Sequence, residues 1–279
     1  MHYKLIAIDI DGTLLNNHRL VTPRTGRAIQ SAVAAGVHVV LCTGRSLHSA
    51  RHIAAQVDPA VHLIFHSGAL ILDRLDGTVL RATNLPRDVA VALIAFLKAE
   101  GYDPLVYDPV PESRSFLHEP QRTPNEWLRR YIEANGDRAR LVSDLLSVVT
   151  YDPAQLAAAG RREDIDRLRA RLVERWPNLG LILSRSTLVS DYWFIEIVPP
   201  EVSKSTALAF LGERYGIRPS EMVAVGDNFN DLDMIEFAGL GVAMENAPDE
   251  VKAAADFVAR SNHDDGVAQV IEEFILPAV

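Results

Sequence analysis

The sequence predicts an α/β protein: a Rossmann-like, doubly wound parallel-sheet core interrupted by an inserted α+β segment. Three observations carry that expectation. At both ends of the chain, short apolar runs alternate with helical stretches, the pattern of a parallel sheet with helices on its faces. Polar clusters follow directly on the apolar runs, at the carboxyl ends of strands where ligands gather in such folds. From Asn84 to Ser190 the alternation is lost and helices mix with strands in no simple order. The expected units are therefore residues 1–83 with 190–279 for the core, and 84–189 for the insertion.

The core opens on Lys4–Leu15, KLIAIDIDGTLL. Leu5, Ile6, Ala7, Ile8 and Ile10 suit a buried parallel strand. Asp9 and Asp11 close it and, two apart in an extended chain, face one small volume. Two like charges buried there are costly unless a cation is shared or one carboxylate keeps its proton. The plainer alternative is a strand ending in a polar Asp-Gly turn. Thr22-Pro23 then reads as an N-cap with proline in the first turn, opening a helix that Gly36 stops. Val37–Cys42 is a second strand, ending in Thr43-Gly44-Arg45. Ser46 begins a helix to about Val57, and His62–Phe65 is a third strand. Ala69–Leu72 and Val79-Leu80, around Asp76-Gly77, read as a hairpin.

Within the insertion, helices are expected at Arg87–Glu100, Pro124–Asn135 and Arg162–Trp176. Strands are expected at Pro104–Tyr107, Val148–Tyr151, Gly180–Leu183 and Leu188–Val189, with a proline-rich loop from Asp108 to Pro120. The α/β rhythm then returns with a strand at Tyr192–Val198 and a helix opened by Val202-Ser203-Lys204. Met222–Val225 is a buried strand running into Gly226-Asp227-Asn228-Phe229-Asn230-Asp231. A helix from Asp231 to Phe237, a strand at Gly239–Met244, a helix at Pro248–Ala255, a strand at Phe257-Val258 and a helix at Gly266–Phe274 complete the chain.

Composition narrows the function. Of 279 residues, 48% are hydrophobic and 23% charged, ordinary for a protein that buries a real core. A net charge of −9 argues against a nucleic-acid binder that neutralises phosphates. That charge lies entirely outside the insertion, which is neutral by count and arginine-rich, with Lys98 its only lysine. The single cysteine, Cys42, excludes an internal disulfide or a four-cysteine zinc site and reads as a small buried hydrophobe. No N-terminal signal region and no membrane-spanning run are evident, so a cytoplasmic protein without membrane partners is expected. Asp9/Asp11, Thr43, Lys204 and Asp227 with Asn230 and Asp231 each have a structural reading as turn, surface or helix-start residues. Brought together at strand ends, they describe a phosphoryl-transfer site: carboxylates for a hard divalent cation, hydroxyl and ammonium for phosphoryl oxygens.

Four stretches in order, DIDGTLL (Asp9–Leu15), TGR (Thr43–Arg45), Lys204 in VSKSTAL, and GDNFNDLDM (Gly226–Met234), resemble the motifs of the haloacid dehalogenase-like phosphohydrolases. The tail, GVAMENAPDEVKAAADFV and SNHDDGVAQVI, is similar to the Cof-type subfamily with a large α/β cap. Many of its members carry Asn-Gly-Ala where this chain has Ser67-Gly68-Ala69. The resemblance implies a Mg²⁺-dependent phosphatase of small phosphorylated metabolites, such as sugar phosphates, monomeric or homodimeric. Asp9 would be the nucleophile that forms an aspartyl-phosphate, and Asp11 the general acid and base. Mg²⁺ would be held by the Asp9 carboxylate, the Asp11 backbone carbonyl and Asp227, with Asp231 an outer partner. Thr43, Gly44, Lys204 and Asn230 would bind the phosphoryl group, and Arg45 would either assist them or form a structural salt bridge. The insertion would be a cap that closes over the metal site and selects the substrate. A sugar phosphomutase and a catalytically silent metal- or ligand-binding homologue are the alternatives. An ion pump of similar core is set aside for want of spanning helices.

Overall fold

In the computed structural model, which describes residues 3–75, 77–122, 124–186 and 191–276, the chain forms two units. The first comprises residues 1–45, 49–81 and 203–279, and the second 46–48 and 82–202. The first begins with Leu5–Ile8 (β1), every residue of it buried. Pro23–Ala34 (α1) follows, its N-cap Thr22 accepting a hydrogen bond from the Thr25 N–H, as the Thr-Pro pair predicts. His38–Cys42 (β2), Leu47–Ala54 (α2) and His62–Phe65 (β3) come next, then Leu70–Leu72 (β4) and Val79–Ala82 (β5).

The second unit holds Arg87–Ala99 (α3), Leu105–Tyr107 (β6), Phe116–His118 (β7), Glu126–Asn135 (α4), Ala139–Leu141 (β8), Leu145–Val148 (α5), Leu156–Arg161 (β9), Arg162–Arg175 (α6), Gly180–Arg185 (β10) and Tyr192–Val198 (β11). These strands form a six-stranded sheet in the order β10-β11-β9-β6-β7-β8. Helices α3 and α6 bury Leu93, Ile94, Leu97, Ile165, Leu168 and Leu172, spaced three or four apart along one helix stripe. Several expectations are corrected here. Tyr192–Val198 is a strand, but it pairs antiparallel with both Leu156–Arg161 and Gly180–Arg185, so it belongs to the second sheet. The chain therefore returns to the first unit at Ser203, not at residue 190. The strand expected at Val148–Tyr151 is replaced by the short helix α5 and the loop after it, and the strand forms instead at Leu156–Arg161. Phe116–His118 is a strand inside the stretch read as loop. The expected strand Leu188–Val189 lies outside the described residues.

After the second unit come Lys204–Tyr215 (α7), Met222–Gly226 (β12), Leu232–Phe237 (α8), Leu240–Met244 (β13), Asp249–Ala254 (α9), Phe257–Ala259 (β14) and Gly266–Val270 (α10), which runs on into a π-helical turn, Ile271–Ile275. The first unit's sheet has the order β14-β13-β12-β1-β2-β3-β4-β5. From β14 to β3 its pairs are parallel. It is the doubly wound sheet expected from the alternating pattern. The chain moves outward from β1 to β3 on one side and later from β12 to β14 on the other. The switch of direction thus lies between β1 and β12, where such sheets open a crevice for ligands. Register decides what lines it. Ile8 sits beside Leu41 on β2 and Val225 on β12. Asp9, Thr43 and Asp227, each just past its strand, therefore gather at one end of three adjacent strands spaced about 5 Å apart.

At the opposite end of the same sheet, the first residues of β2 and β3 form a histidine pair. His38 Nδ1 lies 2.9 Å from His62 Nε2, and His62 Nδ1 lies 2.8 Å from the Asp73 carbonyl oxygen. That oxygen can only accept, so His62 Nδ1 carries a proton, and in the neutral pair His38 Nδ1–H donates to His62 Nε2. Tyr215 stacks on His38, with ring centroids 4.4 Å apart, and donates its hydroxyl to Asp73 Oδ1. Burial, and for His38 also the His62 ring, hold both imidazoles below the ordinary histidine range, against the pull of the Asp73 carboxylate. The unfolded chain then binds more protons than the folded one as pH falls below about 6.5, and stability is lost there. We expect the fall in Tm from about pH 7.5 to about pH 5.5 to be shallower in His62→Gln than in the wild type. Parallel slopes would show that His62 takes up its proton equally in the folded and the unfolded chain.

Candidate active site

The site is built outward from Asp9. It is 5% exposed, and its Oδ1 accepts a 2.6 Å hydrogen bond from Lys204 Nζ. Lys204 is the first residue of α7, whose start is fixed by a capping box between Ser203 and Thr206. Its side chain is fully shielded from solvent and also donates to Asp231 Oδ1 at 2.5 Å. The other oxygen of Asp231 accepts from the backbone N–H groups of Asp227 and Asn228, at 3.0 and 2.9 Å. Asp231 thus ties the lysine to the loop after β12. Asp227 in turn accepts from the Thr13 hydroxyl at 2.9 Å. The carboxylates of Asp9, Asp227 and Asp231 have oxygens all within 4.8 Å of one another, and all three residues are buried.

Electrostatics sets what this cluster can do. Burial pushes the Asp9 carboxyl up to about 7; Lys204 opposes that, and Asp231 and Asp11 add to it. Burial, with Asp9 and Asp231 beside it, holds the Asp227 carboxyl well above the usual carboxylate range. Burial alone would lower Lys204, but Asp231 and Asp9 outweigh it and keep the ammonium charged. One ammonium faces three carboxylates, so the cluster carries an excess of negative charge with little water to screen it. A hard divalent cation with oxygen ligands fits that donor set. Asp231 is already engaged at both oxygens, which leaves Asp9 and Asp227 as the carboxylates suited to reach a cation.

The other expected residues are placed as follows. Thr43, 2% exposed, follows β2, and its hydroxyl accepts from the Arg45 N–H at 3.1 Å. Gly44 lies between them, partly exposed. Asn230 lies in the single 3₁₀ turn Phe229–Asp231, partly exposed and between Asp227 and Asp231. Asp11 departs from the grouping expected of it. Its carboxylate is held by the guanidinium of Arg45, at 2.5 Å on each oxygen, so of the two roles left open for Arg45 the ion pair is the one present. Ser67 is fully buried and, like His66 and Gly68 on either side, has positive φ. This bend packs on the start of α7: a Cβ at Gly68 would meet the Ser203 carbonyl oxygen at 2.3 Å.

Three supporting residues escaped the sequence reading. Thr13 lies within the first motif, so its part in holding Asp227 was within reach. Asn246 donates to the Gly12 carbonyl at 2.8 Å, and Asn262 donates to the Leu15 carbonyl at 2.7 Å. The Asn262 N–H donates to Asn246 Oδ1, so the tail laces itself to the loop that follows Asp11. No local spacing signals such a link, because its partners are more than 230 residues apart.

A family profile described as haloacid dehalogenase-like hydrolase matches residues 6–271 of the chain. Among curated proteins, a 5-amino-6-(5-phospho-D-ribitylamino)uracil phosphatase of Bacillus subtilis, YcsE, is 31% identical over 273 residues, spanning 98% of this chain and 96% of the relative. Among solved structures, a haloacid dehalogenase-like hydrolase from Bacteroides thetaiotaomicron aligns with a TM-score of 0.77 at 28% identity, covering 97% of this chain and 98% of that one. A subclass IIB sugar phosphatase shares the fold, with a TM-score of 0.78 at 22% identity over 97% of this chain and 98% of its own.

Two outcomes are expected of the cluster. Asp227→Asn, which removes one of the crowded charges, raises the Tm measured in EDTA, and added Mg²⁺ stabilises the variant less than the wild type. A variant no more stable in EDTA would mean that the carboxylates do not strain one another. Gly12 has φ +80°, and a Cβ there would lie 2.3 Å from Asp227 Oδ2. Gly12→Ala should therefore destabilise by about 2 kcal/mol in denaturant titrations.

Proposed function

The chain belongs to the haloacid dehalogenase-like hydrolases and is a phosphatase, and we propose that it hydrolyses phosphate monoesters of small metabolites through an aspartyl-phosphate on Asp9, with Mg²⁺ as its cofactor. The observation that carries this reading is a nearly buried Asp9 at the end of the central strand, hydrogen-bonded to a buried Lys204 and crowded by two further carboxylates. A carboxylate on the rim of a sheet has no need of such surroundings. One that attacks phosphorus does.

In the proposed first step an Asp9 oxygen forms a bond to phosphorus, in line with the departing ester oxygen, whose bond to phosphorus breaks. Asp11 gives a proton to that oxygen, and the alcohol leaves. Water then loses a proton to Asp11 and bonds to phosphorus, the Asp9–phosphorus bond breaks, and inorganic phosphate departs. Lys204 and Thr43 hold phosphoryl oxygens and offset their charge, joined by Gly44 and Asn230. Asp9, Asp227 and the Asp11 carbonyl would hold Mg²⁺, and Asp231 would orient Lys204. The cation supplies positive charge against the phosphoryl oxygens.

The substrate would be a small phosphorylated metabolite, with compounds of the sugar-phosphate and ribityl-phosphate kind as the classes to test first. The Bacillus subtilis relative is named for a ribityl phosphate, and the subclass IIB neighbour is named a sugar phosphatase. Choice among such compounds would rest with the second unit. A cytoplasmic setting is part of the same proposal. Among the described residues no helix is long and apolar enough to cross a membrane.

The expected result is Mg²⁺-dependent release of phosphate from at least one compound in a panel of phosphorylated metabolites. That release should stop in EDTA and fall by at least about three orders of magnitude in Asp9→Asn. Steady turnover by Asp9→Asn at verified purity would remove Asp9 as the nucleophile. Transfer of phosphate between positions of a sugar without release would replace hydrolysis by mutase chemistry.

A further inference from the structure

Asp11, the proposed acid and base, is held by Arg45 in a two-pronged ion pair: Nε to Oδ2 and Nη2 to Oδ1, each 2.5 Å. An oxygen that already accepts from a guanidinium must give up that bond to serve the ester oxygen that it would have to meet in the reaction. The pair lies towards the rim of the site, with 46% of the Asp11 side chain and 25% of that of Arg45 accessible. It is therefore free to exchange partners in a way that a fully enclosed pair is not.

The backbone of Arg45, in contrast, is fixed beside the expected phosphoryl position. Its N–H donates to the Thr43 hydroxyl at 3.1 Å, and its carbonyl accepts from the His66 N–H at 2.9 Å. Beyond that anchor runs a long side chain whose planar fork fits a carboxylate and a phosphate equally well. A phosphate monoester dianion is the ligand this chemistry calls for, and it carries more charge than Asp11.

We propose that Arg45 exchanges partners in each turnover: its fork holds Asp11 between turnovers and passes to the substrate's phosphoryl oxygens on binding. That exchange releases Asp11 to face the leaving oxygen. Arg45 is thus a phosphoryl-binding residue that also keeps the acid in reserve, and phosphate itself sets the acid free. The inference rests on the reading of Asp11 as acid and base, and the following experiment separates the two.

Wild type, Arg45→Gln, Arg45→Lys and Asp11→Asn are compared on p-nitrophenyl phosphate, whose leaving group needs no proton, and on a hexose 6-phosphate, whose leaving alkoxide does. Binding of inorganic phosphate in the presence of Mg²⁺ is measured alongside, and circular dichroism verifies the fold. Asp11→Asn should lose turnover of the hexose ester far more than of the nitrophenyl ester. Arg45→Gln should raise KM for both esters, and the dissociation constant of phosphate, by about tenfold or more, the loss of a charge-assisted hydrogen-bond pair. The ratio of its two kcat values should stay near that of the wild type, since Asp11 is then unrestrained. Arg45→Lys should recover part of the phosphate affinity.

If Arg45 instead fixed Asp11 in its working pose, Arg45→Gln would copy the selective kcat loss of Asp11→Asn with KM and phosphate affinity unchanged, and the exchange would be refuted. Unchanged kinetics and phosphate binding in Arg45→Gln would refute it equally. An Asp11→Asn variant with no leaving-group preference would overturn the acid assignment alone, because the phosphate-binding arm still reads Arg45 directly.

Discussion

A lysine ammonium with no access to solvent holds this site in place. Lys204 reaches Asp9 and Asp231 at once, and its side chain has no exposure to bulk solvent. Removing the ammonium would leave buried carboxylates with nothing to offset them, the costly kind of change. That constraint explains much of the surrounding structure. Asp231 must be oriented, so two backbone N–H groups pin its second oxygen. The helix carrying Lys204 must start at a fixed point, so its N-terminus has a capping box and rests on a bend of three positive-φ residues.

The same charge balance suits the site to a ligand of positive charge. Three carboxylates against one ammonium do not cancel, and burial has raised Asp9 and Asp227 towards protonation rather than dispersing their charge. Parallel pairing forces the crowding. Once β1 lies between β2 and β12 in this register, the residues just past the three strands share one volume.

Much of the core was legible because both ends of the problem are local. Apolar runs such as Leu5–Ile8 and Met222–Gly226 are short and wholly buried, and the polar residues at their ends declare which end of the sheet does chemistry. The insertion was harder for physical reasons. Tyr192–Val198 is buried nearly as deeply as a core strand, so its composition could not say which sheet it joins; only its antiparallel partners do. Leu156–Arg161 carries three alanines, which have little strand preference, and pairing with both neighbours overrides that. Within the site, the acids, Thr43 and Lys204 stood out as residue types at strand ends. The Arg45–Asp11 pair and the asparagine ties from the tail did not, since a long side chain's partner is chosen by the folded surroundings rather than by spacing.

The parting of β1 from β12 in the sequence also shapes how the protein comes into being. Strands β1 to β5 leave the ribosome first, but the partner on the other side of β1 follows only after residues 82–202 have been made. At ordinary rates of synthesis that delay is on the order of ten seconds. Throughout it, the wholly apolar strand β1 has one unpaired edge, the kind of surface that recruits wrong partners. The second unit, by contrast, is almost wholly continuous in sequence and can complete its sheet during the wait. Asp9 is thus synthesised well before the residues of α7 and of the loop after β12 that come to surround it.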